Sequence, residues 1–238
     1  RCLNMLDAHQ VKSTFFVPGA VAEKYTEQVR MIHERGHELA CHGYRHESVR
    51  GISREEEEAI LDKSEAALMA VTGKRPAGHR GPESIIHPFT HELLAERGYL
   101  YSSSMKDCDY AYLWEQDGKE LPLVELPNDI TMDDFTYYYF TFSDPAVRAM
   151  YTNREVLGNW KAEFDGLAEE GDKIFVLKLH PQMIGRASRI AMVGDFISYM
   201  KGHGAWITTC ENVARYVLNQ HKLPRSGSAP EHHGKEAL

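Results

Sequence analysis

His42 and His46 stand four residues apart in the stretch Gly36-His37-Glu38-Leu39-Ala40-Cys41-His42-Gly43-Tyr44-Arg45-His46. On one helical turn, residues i and i+4 point the same way. Two neutral imidazoles so placed can hold one divalent cation about 2.0–2.1 Å from their ring nitrogens. In a chain with thirteen histidines the pair alone also fits two surface residues. The apolar run before it, residues 39–41, has the length of a buried strand and delivers His42 to a glycine-containing turn. With one carboxylate added, such a pair makes a hydrolytic site with open positions for Zn²⁺, with Fe²⁺, Mn²⁺ or Co²⁺ as alternatives. A cation held there lowers the pKa of its water to about 7 and polarises a carbonyl.

Hydrolysis of a C–N bond also needs an acid for the leaving nitrogen. His180 closes the apolar run 173–179, and Pro181 biases it towards an extended conformation. Its ordinary pKa lies near operating pH, which suits that role; the plain alternative is a strand-end histidine bonded to backbone. Arg80, in the loop Ala77-Gly78-His79-Arg80-Gly81-Pro82, suits holding a catalytic carboxylate ionised, or equally a structural one. Asp107 or Asp109, in the polar loop Asp107-Cys108-Asp109, is expected to orient His180, or else merely to keep that loop solvated.

The elements that must position these residues alternate along the chain. Strands are expected at 13–17, 39–41, 99–103, 121–126, 173–179 and 205–209. Helices are expected at 21–35, from a capping box at Ser53–Glu56 to Gly73, at 88–97, from Thr152 to Gly171, at 189–202 and at 211–220. The aromatic segment 135–142 has no readable period. Alternation of this kind implies parallel strands with helices outside them, and catalytic groups beyond the strands' carboxyl ends. His42, Arg80, Asp107, Asp109 and His180 all fall at or soon after such ends.

The length of 238 residues suits one α/β domain, read as 1–222, with a disordered tail at 223–238. A net charge of −8 argues against a general nucleic-acid binder. The four cysteines form no C-x2-C pair, which fits reduced thiols and a cytoplasmic protein. No apolar run approaches the roughly 20 residues needed to span a bilayer. The expected partner is a small-molecule or glycan substrate, with neither nucleic acid nor membrane; assembly into a homo-oligomer is left open.

Four segments together resemble the polysaccharide deacetylase (NodB-homology) family. His42-Gly43-Tyr44-Arg45-His46 resembles its H-x3-H metal motif, and Gly78-His79-Arg80-Gly81-Pro82 its R-x-P motif. Asp107/Asp109 resemble its aspartate-bearing motif, and Leu177-Lys178-Leu179-His180-Pro181 its L-x-H motif. Order and spacing agree over about residues 1–220. Pro181-Gln182, Gly185-Arg186 and Ser188-Arg189 look most like the branch with peptidoglycan deacetylase-like, allantoinase-like and cyclic imide hydrolase-like proteins. The resemblance implies a distorted (β/α)7 barrel and divalent-metal hydrolysis of C–N bonds.

The family's T-F-D-x-D motif, which supplies a metal-binding aspartate and the catalytic base, has no match here: Asp7 and Asp62 both fall inside helix patterns. The chain also opens at Arg1 within an uncapped amphipathic pattern, so an upstream first strand is expected. Deacetylation of N-acetylated sugars in a polysaccharide or peptidoglycan is therefore the leading expectation. Hydrolysis of a cyclic imide or ureide is the alternative within the same chemistry. A catalytically inactive binding module follows if the upstream aspartates are absent.

Overall fold

The computed structural model describes residues 1–141 and 150–222. In chain order the elements are α1 (Cys2–Ala8), β1 (Thr14–Val17), α2 (Gly19–Lys24), α3 (Thr26–Glu34), β2 (Glu38–Cys41), α4 (Arg54–Thr72), β3 (Gly78–His79), α5 (Thr90–Glu96), β4 (Tyr101–Ser102), β5 (Tyr112–Gln116), β6 (Lys119–Glu125), α6 (Asp134–Tyr138), α7 (Asn153–Glu170), α8 (Pro181–Ile184), α9 (Ala187–Gly202) and α10 (Cys210–Lys222). The strands form one sheet in the order β1-β2-β3-β4-β6-β5. Every pairing is parallel except the β5–β6 edge. The result is a mixed α/β fold dominated by parallel strands, as expected for a distorted (β/α)7 barrel. Residues 223–238, read as a tail, lie outside the described residues.

Alternation along the strands sorts side chains between two apolar layers. Val17, Leu39, Cys41 and Leu123 pack with Ala22, Val29, Leu61, Leu68, Leu93 and Leu94 of the helices α2 to α5. The opposite face carries Ala40, Tyr101, Val124 and Leu126, covered by Ala214 of α10. A third cluster joins Leu6 of α1 to Val156, Trp160 and Phe164 of α7 and to Val193 and Phe196 of α9. Among the described residues no helix is long and apolar enough to cross a membrane.

The capping box at α4 is present, with the Ser53 hydroxyl accepting from Glu56 N and the Glu56 carboxylate accepting from Ser53 N. Thr152 and Glu155 repeat the arrangement at α7. The single helix expected at 21–35 is instead two, broken at Tyr25 (φ −121°, ψ 44°). Its cause is Thr26, whose hydroxyl donates to the carbonyls of Ala22 and Glu23 and so competes with the helical ladder.

Two expected strands are absent. Residues 173–179 make no ladder beyond an isolated bridge between Asp133 and Lys178. Their neighbours are loops: Ile174 N donates to Asp109 O, and Lys178 N to Met132 O. The apolar pattern is accounted for by packing alone, since Phe175, Leu177 and Leu179 lean on the α7–α9 cluster. Residues 205–209 likewise lead into α10 without a ladder. Conversely, β5 was not foreseen. It pairs antiparallel with β6 across Asp117-Gly118, both at positive φ (51° and 73°), the two-residue turn that Asp-Gly favours.

His79, on β3, is 3% exposed, and its Nδ1 has no hydrogen-bond partner among the described residues. Burial pushes its pKa down to about 3. The unfolded chain takes up this proton below about pH 6.5 and the folded chain refuses it, so stability falls as pH drops from 6.5 towards 3. Between pH 6.5 and 5 the loss is on the order of 2 kcal/mol. Urea unfolding at pH 7, 6 and 5 is expected to show it, with a flatter dependence in His79→Asn, which cannot charge.

Candidate active site

The carboxyl end of β2 carries His42 into a loop, not onto a helical turn. Gly43 (φ +69°) and His46 (φ +62°) both take the left-handed region, folding the chain so that the two rings meet. Their centroids lie 4.8 Å apart at 81°. The Glu47 carboxylate pins the loop by accepting from the N–H groups of Tyr44 (3.1 Å) and Arg45 (2.5 Å). A side chain at Gly43 would be strained by its positive φ and would press on its neighbours, with a Cβ 3.1 Å from Pro82 Cγ and 3.2 Å from the Glu47 carboxylate.

His42 Nδ1 lies 2.7 Å from the Arg80 carbonyl oxygen. A carbonyl can only accept, so Nδ1 carries the proton and Nε2 presents its lone pair. Burial lowers the His42 pKa to about 4, keeping the ring neutral at ordinary pH. A neutral imidazole with a fixed tautomer is the form that binds a metal. The pair thus fits two positions of a divalent cation, though no carboxylate completes a three-donor group with it among the described residues.

Arg80 follows β3 directly and is 7% exposed. Its guanidinium does not hold a carboxylate among the described residues, contrary to the sequence reading. Nε donates to Ser103 O at 2.8 Å and Nη2 to Ser103 Oγ at 2.6 Å, while the plane lies 4.1 Å from the Phe16 ring centroid. Burial lowers its pKa. Arg80 therefore fastens the end of β4 to that of β3, and its own carbonyl sets the His42 tautomer.

His180 sits where expected, extended (φ −110°, ψ 121°) and directly before α8, but its partner was misassigned. Asp107 and Asp109 are exposed on a loop over the β4–β5 connection; Asp107 accepts from the Tyr112 hydroxyl at 2.7 Å. The residue that orients His180 is Asp134, whose Oδ1 lies 2.7 Å from Nδ1. The same carboxylate accepts from His180 N at 3.0 and 2.9 Å. Asp133 stands 3.4 Å from Nδ1 on the other side, and the Phe135 ring lies 5.1 Å from the imidazole. Burial raises the Asp134 pKa, and the His180 hydrogen bonds and charge oppose that rise. The Asp133-Asp134-Phe135 sequence was readable as an acidic helix start; the unperiodic aromatic run after it hid its importance.

Asp133, Asp134 and His180 bring three ligand atoms within 4.8 Å of one another. Their bonding favours an oriented acid over a metal cage. At 2.7 Å the Asp134–His180 contact is a hydrogen bond with the Nδ1 proton in it, and Lys178 Nζ already stands 2.9 Å from Asp133 Oδ2. A second cation would meet a protonated nitrogen and an ammonium. His42 lies close enough to His180 to feel its charge.

An imidazole pair after β2 and an aspartate-held histidine before α8 fit a hydrolase of the deacetylase type. The polysaccharide deacetylase family model matches residues 1–102. A solved structure from Mycobacterium smegmatis, assigned as a polysaccharide deacetylase, superposes with a TM-score of 0.86 at 34% identity, covering 97% of this chain and 80% of that one. The chain belongs to the polysaccharide deacetylase (NodB-homology) family. The peptidoglycan deacetylase of Helicobacter pylori is 28% identical over 233 residues, 87% of this chain and 80% of that protein. The structure of Puue allantoinase matches with a TM-score of 0.81 at 26% identity, covering 93% and 72% of the two chains.

Asp134→Asn removes the carboxylate that accepts the Nδ1 proton of His180. The ring nitrogen shifts of His180, read by NMR, are expected to lose the preference for the Nδ1–H tautomer. An unchanged tautomer would show that Asp134 does not govern this ring.

Proposed function

We propose that the chain is a metal-dependent hydrolase of non-peptide C–N bonds that deacetylates N-acetylated sugars of a polysaccharide or peptidoglycan. The observation that carries this reading is the Asp134-held His180 together with the His42/His46 pair, whose rings meet beyond β2. Its relatives named as peptidoglycan or polysaccharide deacetylases support the choice of substrate. His42 and His46 would hold the divalent cation, Zn²⁺ by preference, and such a cation supplies Lewis-acid polarisation of an amide carbonyl.

The protein's own groups do the remaining work. Asp134 fixes the Nδ1 proton, so Nε2 is the nitrogen that addresses the substrate. Water adds to the amide carbonyl, and His180 protonates the nitrogen as the C–N bond of the tetrahedral adduct breaks, releasing a free amine and acetate; of the two protons the water gives up, one replaces that lost by His180 and the other goes to solvent. Arg80 acts indirectly, holding Ser103 and the His42 tautomer. The Phe135 ring against His180 and the Tyr139 ring stacked on Phe135 at 4.4 Å give the acid an apolar wall. All four cysteines are free thiols, which supports a reducing, cytoplasmic compartment. A cyclic ureide or imide is the second reading, favoured by the similarity to Puue allantoinase.

Acetate release from N-acetylated chitooligosaccharides and from peptidoglycan, set against turnover of allantoin and succinimide, separates the two substrates. His180→Ala is expected to keep its metal content while losing about 10²–10⁴-fold in kcat. His42→Ala with His46→Ala is expected to abolish stoichiometric metal by elemental analysis; retention of the metal would remove these residues from the site.

A further inference from the structure

Lys178 lies between the two halves of the site. Its side chain is 13% exposed, and Nζ stands 2.9 Å from Asp133 Oδ2 and 3.1 Å from Asn128 Oδ1. Asn128 in turn donates Nδ2 to the carbonyls of Ser103 and Met105, each at 3.2 Å. Ser103 is the residue that Arg80 grips. On the other side, Asp133 caps α6 by accepting from Phe135 N at 2.9 Å, and the same oxygen is 3.4 Å from His180 Nδ1. One ammonium thus joins the Arg80 side to the His180 side.

We propose that Lys178 is a positioning residue for His180: by engaging Asp133, it leaves Asp134 as the one carboxylate that holds the imidazole. This rests on His180 acting as the acid in the reaction proposed above. Without the ammonium, Asp133, at 8% exposure, keeps only His180 at 3.4 Å and the more distant Arg80 and Lys106 as positive neighbours. Removing one member of a buried pair leaves the other charge uncompensated. Beside the Phe135 N–H from which it already accepts, the proton within its reach is the one on His180 Nδ1, 3.4 Å from Oδ1. Flanked by two anions, the imidazolium is over-stabilised and gives up its proton reluctantly.

The charged groups around this ring are few. Asp133 and Asp134 face it from the start of α6, Lys178 from its own run, and His42 from the end of β2. Arg80 and Lys106 also act on Asp133, and Asp129 acts on Lys178. Lys178 is the one of these cations in direct contact with Asp133.

The test measures kcat, KM and the pH profile of acetate release from an N-acetylated chitooligosaccharide, with His180 followed by NMR titration. Lys178→Met is expected to lower kcat by about 10- to 100-fold with KM little changed, and to move the basic limb up by about one unit. Asp133→Asn, which keeps the helix cap because asparagine caps as well as aspartate, is expected to move the limb down, since an unpaired ammonium then faces the ring. The double variant is expected to return the limb close to its original position, and Lys178→Arg to leave it there. A wild-type profile in Lys178→Met, or a double variant that stays shifted, overturns the proposal. If Lys178→Met does not fold, Asp133→Asn decides alone, and an unshifted limb in it is the refuting result. His180→Ala separates the two ideas: full activity there sinks the acid role itself, whereas an inactive His180→Ala beside an unaltered Lys178→Met sinks only the role of Lys178.

Discussion

The Asp134 carboxylate, with a side chain that is fully buried, accepts from both the backbone N–H and the ring Nδ1 of His180. Three contacts to one residue fix both the direction of the chain at position 180 and the rotation of the imidazole. Burial alone would drive this carboxylate towards its neutral form; the hydrogen bonds and the positive character of His180 draw it back. The balance needs water excluded and the partner in place together. Much of the surrounding architecture meets that condition: Asp133 caps the helix that begins with Asp134, and the Asp133–Lys178 bridge aligns the two segments.

The imidazole pair obeys the same logic with the sign reversed. His42 is buried with its Nδ1 proton committed to a backbone carbonyl, so it is held neutral. The carbonyl belongs to Arg80, whose side chain is in turn anchored on Ser103. The network continues through Ser104 and Met105, whose N–H groups donate to Glu125 at 2.7 and 2.9 Å. Glu125 is fully buried against His91, on which the Trp114 ring stacks at 3.6 Å. Hydrogen bonds that would be weak in water are strong here because the alternative is an unsatisfied polar group in an apolar setting.

These chains also hold the loops that follow the short strands. β3 and β4 contribute two residues each to the ladder, too few to set the loops by sheet pairing alone. Side-chain bonds to backbone complete the positioning. Gly78 and Gly81 add a steric demand, since a Cβ at either would overlap the Tyr101 ring or the Ile85 carbonyl. The glycine before His79 and the one after Arg80 thus let β3 and its loop approach their neighbours closely.

The sequence by itself determined most of the alternation of helices and strands, the capping box at α4 and the family, and it put forward His42, His46 and His180. Each is written in local pattern or order, where 3.6- and 2-residue periods and cap chemistry act within a few residues. Tertiary structure decided the rest. Asp134 and His180 are 46 positions apart, and no period connects them; the pairing exists because loop 130–134 crosses residue 178. Asp107 and Asp109 looked equivalent in composition but face solvent, for carboxylates acquire a role from what excludes water around them. The run 173–179 had the apolar pattern of a strand without a ladder, because pattern reports burial and only a neighbouring strand supplies hydrogen bonds. His42 and His46 meet through two left-handed residues, a geometry that the i, i+4 spacing neither requires nor reveals.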